Sequence, residues 1–153
     1  VFNILKRLGI EFNINKIRLV NEAWIPRIFF KNFTYKLFSK NYLKFFLLNY
    51  CKNKNYDNSF ESPKYFYGIL DSGKINIEHF FLYVSKIEDN STIELCMHPA
   101  NKFLKIDKQN NANLFKSFAY SENRFYEKKL LFSNNFEKNL KFHQIELVNN
   151  FDL

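Results

Sequence analysis

Hydrophobic and polar positions follow a clear helical period in one part of this chain. In residues 76–87, large apolar side chains recur at i, i+3, i+4 and i+7, namely Ile77, Phe80, Phe81 and Val84. This spacing places them on one face of a helix, which is typical of a helix packed on a core. Asn76 precedes the stripe and can accept hydrogen bonds from the first turn. The pattern therefore predicts an amphipathic helix that begins after Asn76.

Further helices and strands are predicted along the whole chain. Helical spacing occurs in residues 1–8, closed by Gly9, and in residues 32–53, 121–131 and 133–142. Short apolar runs at residues 15–20, 64–70, 92–97 and 145–151 are strand candidates. Loops are predicted around Pro26 and at residues 53–63 and 99–119. Since strands alternate with helices, the pattern indicates an α/β fold with a parallel sheet. Four strands do not close an eight-stranded barrel, so we expect part of a barrel-like domain or a small open sheet.

Candidate chemistry lies where these strands end, because parallel α/β proteins bind ligands at the carboxyl ends of their strands. Arg18 lies near the end of the first strand, and Glu22 follows four residues later. His98 closes the third strand, and Pro99 restricts it to an extended conformation. The turn after the second strand contains Asp71, Ser72 and Gly73. We expect these residues to face one edge of the sheet.

Each of these residues also has a structural interpretation. A histidine after a strand is more often a hydrogen-bonded surface or core residue than a catalyst. Arg18 could be a salt-bridged strand residue, with Glu22 as its partner, and Glu94 could face either side of its strand. His79 is interpreted as structural and His143 as solvated. Because the three histidines lie on unrelated elements, the residues alone indicate no metal site.

The composition limits the classes of protein that fit. The chain has 153 residues, 23 Lys and Arg against 15 Asp and Glu, and a formal net charge of +8. Such a charge can attract an anionic partner. However, the abundant Lys, Asn, Ile, Phe and Tyr share AT-rich codons, and no block of five like charges occurs. The basic balance is therefore attributed mainly to genome composition.

Cysteines and apolar runs bear on the cellular compartment. Cys51 and Cys96 lie in apolar stretches without a close Cys spacing, so both are expected to be reduced thiols in the core. The longest apolar run, residues 42–50, is interrupted by Lys44 and is too short for a transmembrane helix. No signal peptide is recognised, and a cytoplasmic location is expected.

Five segments of the chain have the order and spacing of a known family. They are KIRLVNE (16–22), YFYGILDSGKINIEHFFLYVSKI (65–87), IELCMHPA (93–100), YSENRFYEKKLL (120–131) and IELVNNFDL (145–153). This series resembles the YdjC-like carbohydrate deacetylases, the ChbG/HpnK family. The corresponding family patterns are vRxPxE, fxGlxxSGxxtxexlxxll, tElmcHPg, YxxxRxxElxxL and gixlvxFxdL. The resemblance covers nearly the whole chain.

The resemblance implies a fold and a reaction. The fold would be a polysaccharide-deacetylase-like (β/α) barrel from which the N-terminal strands are absent, leaving a partial parallel sheet with flanking helices. Residues 1–153 would form the C-terminal portion of a single domain. The family consists of metal-dependent hydrolases that remove acetyl groups from N-acetylated sugars, such as chito-oligosaccharides or glycolipids. In such enzymes a divalent metal, Mg or Zn, holds a water, a carboxylate takes its proton, and a histidine protonates the departing amine.

The resemblance also assigns roles to residues of this chain. His98 would be the histidine acid or an active-site partner, and Arg18 would orient the catalytic carboxylate. Glu22 and Ser72 are assigned to substrate binding. The paired aspartates and metal-binding histidines of the family lie upstream of the region that this chain resembles. We therefore expect that the chain holds no metal by itself and that the isolated 153 residues do not catalyse the reaction.

This chain departs from the family pattern at two positions, and other functions remain open. Val20 stands where the family usually has proline, and Ala100 stands where glycine is common. The chain could instead be a basic module that binds single-stranded nucleic acid through Lys and aromatic side chains, or an inactive structural remnant. Because Lys residues are spread along every element, we expect no nucleic-acid partner, whereas the resemblance implies an N-acetylated sugar as substrate. The sequence also leaves open whether the protein forms a homodimer.

Overall fold

The structure is a computed structural model that describes residues 2–25, 40–55, 60–73, 75–101 and 121–148. The helices are α1 (Phe2–Glu11), α2 (Lys40–Asn55), α3 (Ile77–Val84), α4 (Glu122–Leu131) and α5 (Asn134–Phe142), and the strands are β1 (Tyr65–Tyr67) and β2 (Ile93–Leu95). The chain divides into two compact units. The first unit comprises Val1–Leu70 and Glu88–Cys96, and the second comprises Asp71–Ile87 and Met97–Leu153. Within the described ranges, no helix is long and apolar enough to cross a membrane.

The sheet of the first unit is parallel, as the strand pattern predicts. Tyr65 lies beside Ile93, and the register continues through Tyr67 beside Leu95. The pairing extends to Cys96, whose N–H donates to the Tyr67 carbonyl at 2.9 Å. The strands predicted at residues 64–70 and 92–97 are therefore confirmed, although both are shorter than expected. A larger barrel-like sheet stays a prediction.

The strand predicted at residues 15–20 is wrong as a regular strand. This segment forms one isolated parallel bridge between Lys16 and Glu61. In a continuous parallel ladder, the next main-chain donor to this segment would be residue 63, but Pro63 has no N–H. Further along, a single main-chain hydrogen bond joins the two stretches, from the Phe66 N–H to the Asn21 carbonyl at 2.9 Å. Residues 15–20 therefore form no continuous hydrogen-bonded ladder, because Pro63 interrupts the pairing.

Helix α1 continues beyond the end that glycine predicts. The expected stop at Gly9 is wrong, since the helix extends to Glu11 and Asn13 takes the left-handed conformation with φ 55°. Gly9 is instead needed for packing. A Cβ at this position would lie 2.5 Å from the aromatic ring of Phe60. The small residue therefore allows a buried ring to approach the helix backbone.

Helix α2 packs one face on the core of the first unit. Phe45 forms a buried cluster with Phe66 and Ile69, and Tyr42 is also buried. Phe46 and Leu48, two further apolar residues of this helix, are exposed. The described part of the predicted helix 32–53 begins at Lys40, and residues 32–39 lie outside the described residues.

The second unit contains the helix that the sequence predicts most clearly. The side chain of Asn76 accepts hydrogen bonds from the N–H groups of Glu78 and His79, at 3.0 and 3.2 Å. Phe81 of α3 lies 6.0 Å from Phe136 of α5, centroid to centroid. His143, expected to be solvated, stacks on Phe81 with centroids 5.0 Å apart. Helices α4 and α5 are confirmed and begin after the capping residues Ser121 and Ser133.

Three further expectations meet the structure in different ways. Residues 145–148 form no strand, so the predicted last strand is absent from its described part, and residues 149–151 lie outside the described residues. Pro26 and most of the loop at 99–119 also lie outside them. Among the described residues, Cys51 and Cys96 form no disulfide, but Cys51 is exposed rather than in the core. Exposure follows from its place on the outer side of α2.

Lys64 and Glu88 form an exposed ion pair in the first unit. The hydrogen bond from Lys64 lowers the pKa of the Glu88 carboxyl, and the Tyr65 hydroxyl also donates to it at 3.2 Å. The resulting contribution to stability is present above the ordinary glutamate pKa and is lost as the pH falls through the lowered value. It should be small because both side chains are exposed.

Replacement of Lys64 tests this assignment. In the variant Lys64→Met, an NMR pH titration should show the pKa of Glu88 rising towards the ordinary glutamate value. The Glu137 carboxyl is an internal control, because hydrogen bonding from Lys141 lowers its pKa in the same way. A Glu88 titration that is identical in wild type and variant would contradict the assignment.

Candidate functional site

Arg18 is paired with a carboxylate of β2. Its Nη2 lies 2.5 Å from Oε1 of Glu94, and the two side chains are 58% and 17% exposed. The structure thus decides the orientation of Glu94, which the strand pattern left open. The guanidinium keeps a large part of its surface accessible while one side holds a mostly buried acid. Arg18 is therefore salt-bridged, as the structural interpretation expected, but its partner is Glu94 rather than Glu22. A role in orienting a catalytic carboxylate stays a prediction.

Glu22 is buried and accepts hydrogen bonds from the main chain. It is 2% exposed, and its carboxylate receives the N–H groups of Gly68, Ile69 and Leu70 at 3.3, 2.8 and 3.3 Å. A buried carboxylate is stable only where such donors replace water. The substrate-binding assignment of Glu22 stays a prediction, and the structure adds a structural role for this residue. It holds the chain immediately after β1.

Gly68 allows these N–H groups to converge. Its φ is +129°, and a Cβ would lie 2.7 Å from the carbonyl oxygen of Cys96. A residue with a side chain could neither take this conformation readily nor fit against the end of β2. The glycine therefore produces the turn that presents three consecutive N–H groups to Glu22. The sequence signal for this site is a single glycine at the end of an apolar strand.

The main chain of His98 is held on both sides by helix α4 in the second unit. Its N–H donates to Oε2 of Glu127 at 2.7 Å. Its carbonyl accepts a hydrogen bond from Nε of Arg124 at 2.8 Å. Two residues further on, the N–H of Ala100 donates to the Arg124 carbonyl at 3.1 Å. Both polar main-chain groups of His98 are therefore occupied by side chains of one helix.

Glu127 joins two segments of the second unit. The residue is fully buried, and its second oxygen, Oε1, accepts the N–H of Ile75 at 3.3 Å. One carboxylate thus binds both the residue before the α3 cap and the peptide of His98. Sequence reasoning missed the roles of Arg124 and Glu127. The available signals were the family pattern YxxxRxxElxxL, which includes both positions, and their spacing of three residues, which places both on one face of a helix.

A carboxylate–imidazole pair lies in the same unit. Nδ1 of His79 is 3.4 Å from Oδ2 of Asp71, and the side chains are 14% and 7% exposed. The structural interpretation of His79 agrees with this burial. Asp71 belongs to the turn that also carries the half-buried Ser72. The imidazole therefore contacts this turn from the first turn of α3, but its Nδ1 forms no hydrogen bond with any described residue.

The structure distributes the predicted site residues over both units. Arg18 and Glu22 lie in the first unit, and His98 and Ser72 lie in the second. The expected meeting of Arg18 and His98 at one edge of the sheet stays a prediction. Among the described residues, no three or more His, Cys, Asp or Glu side chains form a group that could hold a metal ion. These residues therefore do not provide a site that fits the divalent metal implied by the resemblance.

Comparison with known proteins adds no relative. No protein-family model matches the sequence, and neither a curated protein nor a solved structure matches it.

Proposed function

We propose that this chain belongs to a hydrolase that removes acetyl groups from N-acetylated sugars, and that His98 is its general acid. The observation that carries the proposal is the attachment of His98 to α4. The segment IELCMHPA supplies the histidine, and the segment YSENRFYEKKLL supplies Arg124 and Glu127, which bind its main chain. Arg124 and Glu127 of one segment thus contact the main chain of His98 in the other segment.

Other charged residues of the resemblance make comparable contacts within the first unit. Arg18 of the first segment binds Glu94 of the third. Glu22 of the first segment receives the main-chain N–H groups that follow β1 in the second segment. Residues that the resemblance singles out therefore have specific partners. This supports a common fold for the four segments that contain them.

The chemistry suits a histidine at this position. Hydrolysis of the acetamide adds water to the carbonyl carbon and breaks the C–N bond, which yields acetate and the free amine. The amine is a poor leaving group unless its nitrogen receives a proton. An imidazole titrates near neutral pH, and a positioned acid contributes roughly 10²–10⁴-fold to such a step. His98 would deliver this proton from its imidazole to the amine nitrogen. This transfer does not itself use a metal ligand from the described residues.

The remaining predicted residues have roles compatible with a sugar. The Ser72 hydroxyl could hydrogen-bond to a sugar hydroxyl, since the residue is only half-buried. Arg18 would act through the carboxylate that it holds. The proposed substrates are chito-oligosaccharides or N-acetylated glycolipids, and the proposed location is the cytoplasm.

The test is the variant His98→Ala in the protein encoded by the complete gene, assayed for acetate release from a chitin-derived disaccharide with added Mg²⁺ or Zn²⁺. We expect kcat to fall about 10²–10⁴-fold, because proton delivery to the amine is lost. His143→Ala is the matched control, since His143 lies in the same unit and stacks on Phe81. Its kcat should stay within a few-fold of wild type.

Two results would overturn the proposal. If the wild-type protein releases no acetate, the deacetylase function fails. If wild type is active and His98→Ala retains its kcat, His98 is not the general acid.

A further inference from the structure

We propose that Arg124 and Glu127 are positioning residues, which hold the His98 peptide so that its imidazole reaches the substrate nitrogen. This inference rests on the proposed role of His98. The two side chains take opposite polar groups of one residue: Glu127 accepts from the His98 N–H, and Arg124 donates to the His98 carbonyl. Because both come from α4, the helix acts as a single rigid support.

The backbone of His98 is constrained from a third direction. Pro99 disfavours the helical region for the residue before it. Together with the two hydrogen bonds, this leaves the peptide little freedom to rotate. The position of the imidazole then depends mainly on its own side-chain torsions. A general acid benefits from such restriction, since a displacement of about 1 Å can cost about 10²-fold in rate.

Glu127 determines more than the position of one peptide. Its two oxygens accept the N–H groups of Ile75 and His98, which come from separate segments of the second unit. The carboxylate is fully buried, so it has no water to replace a lost donor. Turning this side chain away would leave two N–H groups and a charge without partners. Glu127 therefore fixes the distance between His98 and the segment that precedes α3.

The test is Glu127→Gln, with amide hydrogen exchange as the first readout. The amide side chain can accept with its oxygen, but its NH₂ group would face one of the two N–H donors. We expect the amide of His98, of Ile75 or of both to exchange at least tenfold faster, while amides within α5 stay unchanged. Glu146→Gln is the control, because Glu146 is an exposed glutamate of the same unit. Unchanged exchange at both amides would overturn the inference.

The second readout is turnover of the protein encoded by the complete gene. In Glu127→Gln, kcat should fall at least tenfold while KM stays near wild type, because the acid is displaced without loss of substrate contacts. If Glu127→Gln fails to fold, Arg124→Lys is tested instead, because lysine keeps the charge but lacks the Nε donor. In Arg124→Lys we expect a lower kcat and no faster amide exchange.

The two proposals fail in different ways. Absence of acetate release by wild type ends the proposed function, whereas the exchange experiment still decides whether Glu127 holds the two amides. Wild-type activity that depends on His98 but not on Glu127 or Arg124 would end the positioning role alone.

Discussion

Replacing Gly68 with alanine should lower the free energy of unfolding by about 3 kcal/mol. The native φ of +129° is one that residues with a Cβ rarely adopt, and the added atom would lie 2.7 Å from the Cys96 carbonyl oxygen. That oxygen belongs to the backbone at the end of β2 and cannot move without disturbing the pairing of the strands. The change should be visible as an earlier midpoint in urea denaturation followed by circular dichroism.

Gly9→Ala is the matched control for this prediction. Gly9 lies within α1, where alanine is favoured over glycine by up to about 1 kcal/mol. Its Cβ would lie 2.5 Å from the ring of the buried Phe60 and 3.1 Å from the Ile14 carbonyl oxygen, so the ring would have to move. Overpacking costs about 1–3 kcal/mol and the gain in helix propensity offsets part of it, so we expect a net loss of about 1–2 kcal/mol, smaller than that of Gly68→Ala. Equal losses in both variants would contradict the argument from backbone conformation.

Removal of the Glu22 carboxylate should have a similar effect. In Glu22→Ala, the N–H groups of residues 68–70 lose a buried acceptor, and we expect a loss of about 3–4 kcal/mol. Glu22→Gln keeps the shape and one acceptor but introduces N–H groups among the donors, so an intermediate loss of about 2 kcal/mol is expected. Urea denaturation of the three proteins measures the order.

The control for Glu22 is Glu61→Gln. Glu61 is exposed and lies 3.9 Å from Lys16, and loss of such a pair costs at most about 1 kcal/mol. A Glu22→Ala protein as stable as this control would contradict the structural role. If, in addition, such a protein lost acetate release, the substrate-binding assignment of Glu22 would be favoured instead.

Several elements could be predicted from local patterns. Helix α3 begins after Asn76 as expected because a cap and an apolar stripe act within a few residues of each other. The serines before α4 and α5 act in the same way. The parallel pairing of β1 with β2 followed from the alternation of strands and helices. The predicted strand at residues 15–20 failed because the interruption lies in its partner, at Pro63.

The candidate site shows where local reasoning ends. The resemblance drew attention to His98 and Arg18, and chain position suggested that they lie at strand ends. Apart from the family pattern, nothing in the local periodicity distinguishes Glu127 from exposed glutamates such as Glu122 in the same helix. Its burial depends on the N–H groups of His98 and Ile75, which lie 29 and 52 residues away in the chain.

The sequence by itself determined the three capped helices, the two apolar strands and the histidine–proline step after the second strand. Only the tertiary structure decided which acids are buried, that Gly68 is required by the close approach of Cys96, and that α4 holds the His98 peptide. The physical reason is that caps and periodicity are satisfied within one or two turns of the chain. A buried carboxylate, by contrast, is stable only when donors from distant segments converge on it.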